Sequence, residues 1–207
     1  MRFALFLLAA FVTTLAACGD GEPSPESTPA TTEAATTPTV PSETTPAIVD
    51  VDIDAVILAS GDLPEGWEVQ GVDECGGSGP RASLCPQQGV IRGKVFFATR
   101  SAGENLSAVV LVTDPGQAET VAEAVVSRAL TGERPWTQET LDEPAVGTVR
   151  LEQELTDVAP ARVVRRLVFS RDPVVVDISL TVFEASQDIA IDQLAALLED
   201  RIARQSP

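Results

Sequence analysis

The 207-residue chain contains no histidine. That excludes a Ser-His-Asp triad, a Cys-His dyad and an HExxH zinc site. Lys94 is the only lysine, and Ile91 stands where a Ser-x-x-Lys pair would need its serine. Ser78, in Gly76-Gly77-Ser78-Gly79-Pro80, lacks the glycine two residues on that a nucleophile elbow requires. Catalysis by an activated hydroxyl is therefore not expected, and the sequence points to no catalytic residue, no metal site and no cofactor. Bases are scarce as well. The formal net charge is −17, and none occurs between Arg2 and Arg81. Phosphate recognition needs clustered Lys and Arg, so nucleic acid is not an expected partner.

Long apolar runs are missing too, with one exception at the start. Phe3 to Ala17 carries no charge and follows the short positive start Met1-Arg2. Fifteen helical residues rise roughly 22 Å against a hydrocarbon slab of about 30 Å, so the run is a signal-peptide core and too short to span. It closes on Leu15-Ala16-Ala17-Cys18. This stretch resembles the lipobox of bacterial lipoproteins, and the resemblance implies a leader of residues 1–17, cut before a Cys18 that carries a diacylglyceryl group. The expected partner is then a membrane, held from its extracytoplasmic side through acyl chains such as palmitate; two or three chains hold durably where one does not. Gly19, not aspartate, follows the cysteine, and whether the envelope has one membrane or two stays open.

Residues 18–47 comprise the cysteine and a Ser/Thr/Pro-rich linker with five acids and no base or aromatic. Such a composition buries too little apolar surface to offset the entropy of ordering, so a disordered tether is expected. Residues 48–207 form the expected single globular domain, with 13 basic and 26 acidic side chains. Nine residues separate Cys75 from Cys85 in a Gly- and Pro-rich loop. In an exported chain this pair reads as a disulfide staple.

The expected fold class is α+β. Apolar patterning predicts strands at 94–100, 106–113, 148–155, 161–170 and 173–183, and helices from Asp114 to Gly132 and from about Asp188 to Arg204. The order β-β-α-β-β-β-α with short loops implies an antiparallel sheet of about five strands, with two main helices on one face. Alternation predicts Phe169 opposite Val174, Leu167 opposite Val176 and Val163 opposite Leu180. It also predicts Val149 opposite Phe169, Leu151 opposite Leu167 and Leu155 opposite Val163. That register puts Arg166 between Glu152 and Asp177 on an outer face, and Arg165 on the inner face beside Gln153 and Ile178. An inward arginine meets a buried acid, lies near the sheet end or contacts a ligand in a cavity.

Asp62-Leu63-Pro64-Glu65-Gly66-Trp67 resembles the opening of exported domains in actinobacterial-type lipoproteins. The cysteine pair, hairpin, alanine-rich helix, Pro144-x-x-Gly147 turn and closing helix resemble the same group. It includes the extracytoplasmic sensor domains of PknH-like kinases and lipoprotein domains with a PsbP-like fold. What the resemblance implies is a binding or sensing module. Trp67, Trp136 and Arg165 are the candidate ligand contacts, and Trp67 can equally fold back on the core. Asp50, Asp52 and Asp54 fail the calcium-loop pattern, because Ala55 stands at the sixth position and Gly61 at the twelfth. Two functions are expected from this sequence: a module holding a small or lipid-like ligand in an apolar cavity, or a structural or protein-interaction module with a closed core and an exposed patch or bare strand edge.

Overall fold

A computed structural model describes residues 50–205 apart from 87, 101–102, 133, 146 and 184–189, all within one compact unit, Thr44–Pro207. The leader, Cys18 and the whole linker of residues 18–47 lie outside the described residues. The elements are α1 (Ile53–Val56), β1 (Glu68–Glu74), β2 (Val90–Arg100), β3 (Glu104–Thr113), α2 (Ala118–Leu130), β4 (Thr137–Leu141), β5 (Thr148–Leu155), β6 (Arg162–Arg171), β7 (Val174–Phe183) and α3 (Ile191–Ala203). One antiparallel sheet of seven strands runs β1-β2-β3-β7-β6-β5-β4. The α+β class holds and all five expected strands form. The two additional ones, β1 and β4, are the sheet's edges. Both are mostly exposed, so neither carries the apolar alternation that marks a half-buried strand.

The two main helices lie on opposite faces, not on one. Val121, Val125 and Val126 of α2 pack with Val95, Val109, Leu111, Val168 and Val175. Ile191, Leu194, Leu198 and Ile202 of α3, with Val56 of α1, pack with Phe96, Ala108, Val110, Leu167, Val176 and Ile178. Odd and even positions of the same strands therefore fill different cores. This is why β3 and β7 read as near-continuous apolar runs, Val109 to Val112 and Val174 to Val176, where a strand with one wet face would alternate. Helix α2 also starts later than Asp114. Gly116 adopts φ 77°, its N–H donates to Asp172 Oδ1 at 2.7 Å, and the helix begins only at Ala118.

The hairpin registers depart from expectation in two ways. Between β6 and β7, Phe169 faces Val176, Leu167 faces Ile178 and Val163 faces Val182. The slip is by two residues, because the strands continue to Arg171 and Val174 and leave only Asp172-Pro173 as the loop. An even slip keeps every side chain on its face. Between β5 and β6 the slip is by one: Val149 faces Val168, Leu151 faces Arg166 and Leu155 faces Arg162. Val149 and Leu151 thereby move to the α2 side. Leu167, Val168 and Phe169 are all buried, so β6 has an apolar residue ready for either register and alternation alone cannot choose.

The charge ladder splits accordingly. Arg166 donates two hydrogen bonds to Asp177, Nε to Oδ1 at 2.7 Å and NH2 to Oδ2 at 2.6 Å. Glu152 instead receives Arg165 Nε at 3.1 Å. Burial pulls the Arg166 guanidinium pKa down, but the charge of Asp177 and its hydrogen bonds outweigh that and leave it above its ordinary value. The Asp177 side chain is 9% exposed and that of Arg166 21%, whereas Arg165 and Glu152 keep 35% and 41%. These two pairs test burial directly. Asp177→Asn leaves a desolvated cation without its counter-charge and is expected to cost roughly 2–4 kcal/mol; Glu152→Gln is expected to cost under about 1 kcal/mol. Urea unfolding of both variants by circular dichroism measures the contrast, and equal shifts would contradict it.

Cys75 and Cys85 are bonded, with Cα atoms 5.7 Å apart, and both pack against the α2-side core. The bridge presses on β2 at Gly93. A Cβ there would lie 2.7 Å from Cys75 Sγ, 2.7 Å from Leu111 Cδ2 and 2.9 Å from the Val110 carbonyl oxygen. Gly93→Ala is expected to lower stability by about 1–3 kcal/mol, the usual cost of overpacking. The loss should shrink when Cys75 and Cys85 are also replaced by serine, read as the difference in melting temperature between the two backgrounds.

Candidate functional site

A broad concavity lies on the α2 face. Helix α2 packs over β3, β7 and β6, and β5 and β4 continue beyond it. The overhang forms an open cleft of about 870 Å³. Ala122, Val126 and Leu130 line it from the helix, and Val149 and Val168 from the sheet. Gln138 and Thr140 of β4 supply polar groups on the far wall, with Ser127 and Ser170 on the near side. Glu119, Glu123 and Asp172 are its charged members. The slip by one residue in β5 builds this site, because it points Val149 at α2; in the expected register Val149 would face α3.

The three contacts named from the sequence are dispersed. Trp67 precedes β1 at one sheet edge and packs against the α3-side core, with the Arg100 guanidinium 5.5 Å from its ring centroid. Its Nε1 is buried and has no hydrogen-bond partner among the described residues. Trp136 precedes β4 at the opposite edge, half-buried and outside the cleft lining. Six strand spacings separate the two edges, roughly 25–30 Å. Arg165 lies on the α3 side of β6, across from Leu180 and Glu152 where Ile178 and Gln153 were expected. It pairs with an acid, but not with the buried one expected, because the Glu152 side chain is 41% exposed. These three residues do not form one site.

The remaining polar candidates go to separate partners. Asp52 caps α1, accepting from Asp54 N at 3.0 Å. Asp50 pairs with Arg92, and Asp54 with Lys94. Hydrogen bonding to Asp54 is the largest influence raising the pKa of Lys94, and Glu74 stands 3.1 Å from the same ammonium. A lysine held protonated in this way is a poor base or nucleophile. Among the described residues no group of three or more His, Cys, Asp or Glu is placed to hold a metal.

An apolar cavity was expected, but its position and lining were not legible in the sequence, because the cleft is made by coverage and local pattern does not reveal which strands a helix leaves bare. The signal that was there is the polar strand Thr137–Leu141, a sheet edge with no core to serve. Among the described residues no helix is long and apolar enough to cross a membrane. No protein-family model matches the chain, and no curated protein does either. Among solved structures it is similar to the extracellular domain of PknH from Mycobacterium tuberculosis, with a TM-score of 0.56 over 73% of this chain and 95% of that one, at 11% identity; the likeness is one of fold.

Proposed function

We propose that this chain is an extracytoplasmic lipoprotein, anchored through Cys18, whose folded domain is a non-enzymatic module that binds or senses a ligand in the cleft between α2 and the sheet. The cleft carries this reading. At about 870 Å³ it falls in the range of small-molecule sites, roughly 300–1,000 Å³, and it combines an apolar wall with a few polar groups. The absence of histidine, the single lysine and its ion pairs support a role in binding and not in catalysis. The uncharged leader ending in Leu-Ala-Ala-Cys, and a fold shared with a domain described as extracellular, support the location.

A protein-interaction module of the cell envelope is the second reading, favoured by one observation. Edge strand β1 exposes Val69 and Val72, and on neighbouring β2, beyond the residues paired with β1, Ile91 is 56% exposed. Against it, the β1 edge is interrupted at Gly71, where the register shifts, and it carries Glu68, Asp73 and Glu74; both are devices that discourage strand addition.

Two outcomes are expected. Cys18→Ser releases the protein from the envelope fraction and abolishes fatty-acid labelling; persistence in the pellet with unchanged mass would contradict the anchor. Native mass spectrometry of protein purified from its own host shows a co-purifying small molecule. That molecule is lost in Ser127→Trp and in Thr140→Trp, two exposed substitutions that crowd the cleft from opposite walls without touching the core. Circular dichroism checks that both variants are folded. A ligand retained equally by both variants, or a co-purifying protein instead, would turn the case to the second reading.

A further inference from the structure

Among its described lining residues, the cleft holds no positive charge. Its charged members are the carboxylates of Glu119, Glu123 and Asp172, and none of them joins an ion pair within the described residues. Asp172 accepts one backbone hydrogen bond, from Gly116. Glu119 and Glu123 stand four residues apart on one flank of α2 and repel each other. The only base on α2 is Arg128. Nine residues from Glu119 at about 100° per residue, it falls on the opposite flank. The amino end of α2 supplies only about half a positive charge against these carboxylates.

The rest of the domain is unlike this. Every described lysine and arginine except Arg128 and Arg162 is held in an ion pair, so the protein places its few bases against acids and leaves this rim unbalanced. The unbalanced rim adjoins the apolar wall of Val126, Leu130, Val149 and Val168. We propose that the cleft takes a cationic amphiphile: an aliphatic chain laid along that wall, with an ammonium head between Glu119, Glu123 and Asp172. Chains headed by phosphate or carboxylate are disfavoured by the same three groups. The inference rests on the reading of the cleft as a binding site and adds the chemical class of its ligand.

The test is calorimetric titration of the purified full chain with n-decylamine, n-decanol and n-decanoate, each below its micellar concentration at neutral pH, where the amine is protonated and the acid ionised. Decylammonium is expected to bind about tenfold or more tighter than decanoate at low salt, with decanol between, and the gap should narrow as salt screens the rim. The double variant Glu119→Gln/Glu123→Gln should weaken decylammonium more than decanol, bringing the two together. Decanol or decanoate binding as tightly as decylammonium, or a cation preference unchanged in the double variant, overturns the charge inference and leaves the cleft reading standing. Binding that Ser127→Trp does not reduce, or no binding by any of the three chains, overturns both.

Discussion

Strands β3 and β7 have to be dry on both faces, and most of the architecture follows from that. Val109 and Leu111 need cover on one side, Ala108, Val110 and Val112 on the other, and Val174 to Val176 repeat the demand on the neighbouring strand. A central pair of this kind is stable only between two layers. Helix α2 supplies one layer and α3 with α1 the other. The layers are unequal to the sheet, however. Seven strands at about 4.8 Å extend over roughly 30 Å, while a helix with its side chains is about 10 Å across. On the α2 face the disulfide loop takes up the β1–β2 end, through Cys75, Cys85 and Val90. Among the described residues nothing comparable reaches β5 and β4, and the uncovered floor there is the cleft.

The same geometry explains what could be read in advance. The five strong strands and both main helices were legible because each carries a period that burial enforces, 2 for the strands and 3.6 for the helices. The closing helix matched closely: Ile191, Leu194, Leu198 and Ile202 face inward as their spacing requires. What could not be read was which face each helix covers, since alternation assigns residues to two sets without saying whether the second set meets water or another layer. The clue was the density of the pattern, Val109 to Val112 without a polar break. Registers failed for a related reason, because three consecutive buried residues in β6 make a one-residue slip nearly cost-free at that end. The site depends on this slip and was missed with it. A tryptophan at each sheet edge drew attention to residues that the topology then placed far apart.

Electrostatics divide the domain in the same way as packing. Two of the more buried charge pairs are closely matched: Arg166 with Asp177 inside the sheet, and Arg100 with Glu104, whose side chain is 4% exposed. Unpaired buried charge costs several kcal/mol, so these partnerships are demanded by the fold. Excess acid is tolerated only where water or a ligand can reach it. An exposed acidic surface keeps a protein soluble and calls for no further explanation. A cleft is different, because its apolar wall lowers the local dielectric and magnifies whatever charge its rim carries. Carboxylates that are unremarkable on an open helix face thus acquire selectivity when they border a groove.

The position of the chain's entry completes the picture. Val51 and Ile53 are buried in the α3-side core, and Arg201 of α3 fixes the segment after them, donating to the carbonyl oxygen of Ile57 at 2.9 Å and to Asp62 at 2.6 Å. The first described residues are therefore held on the face opposite the cleft. Were the protein anchored by its amino end and the cleft occupied, as proposed, anchor and ligand would use separate faces of one sheet. The sheet links those faces mechanically, since β3 and β7 contribute side chains to both cores. A ligand that wedged α2 away from β6 would act on Val168 and Val175, whose chain neighbours Leu167 and Val176 pack on the α3 side. Under the proposed anchoring, a displacement at the cleft would reach the opposite face by crossing the sheet there, through side chains buried on both sides of it.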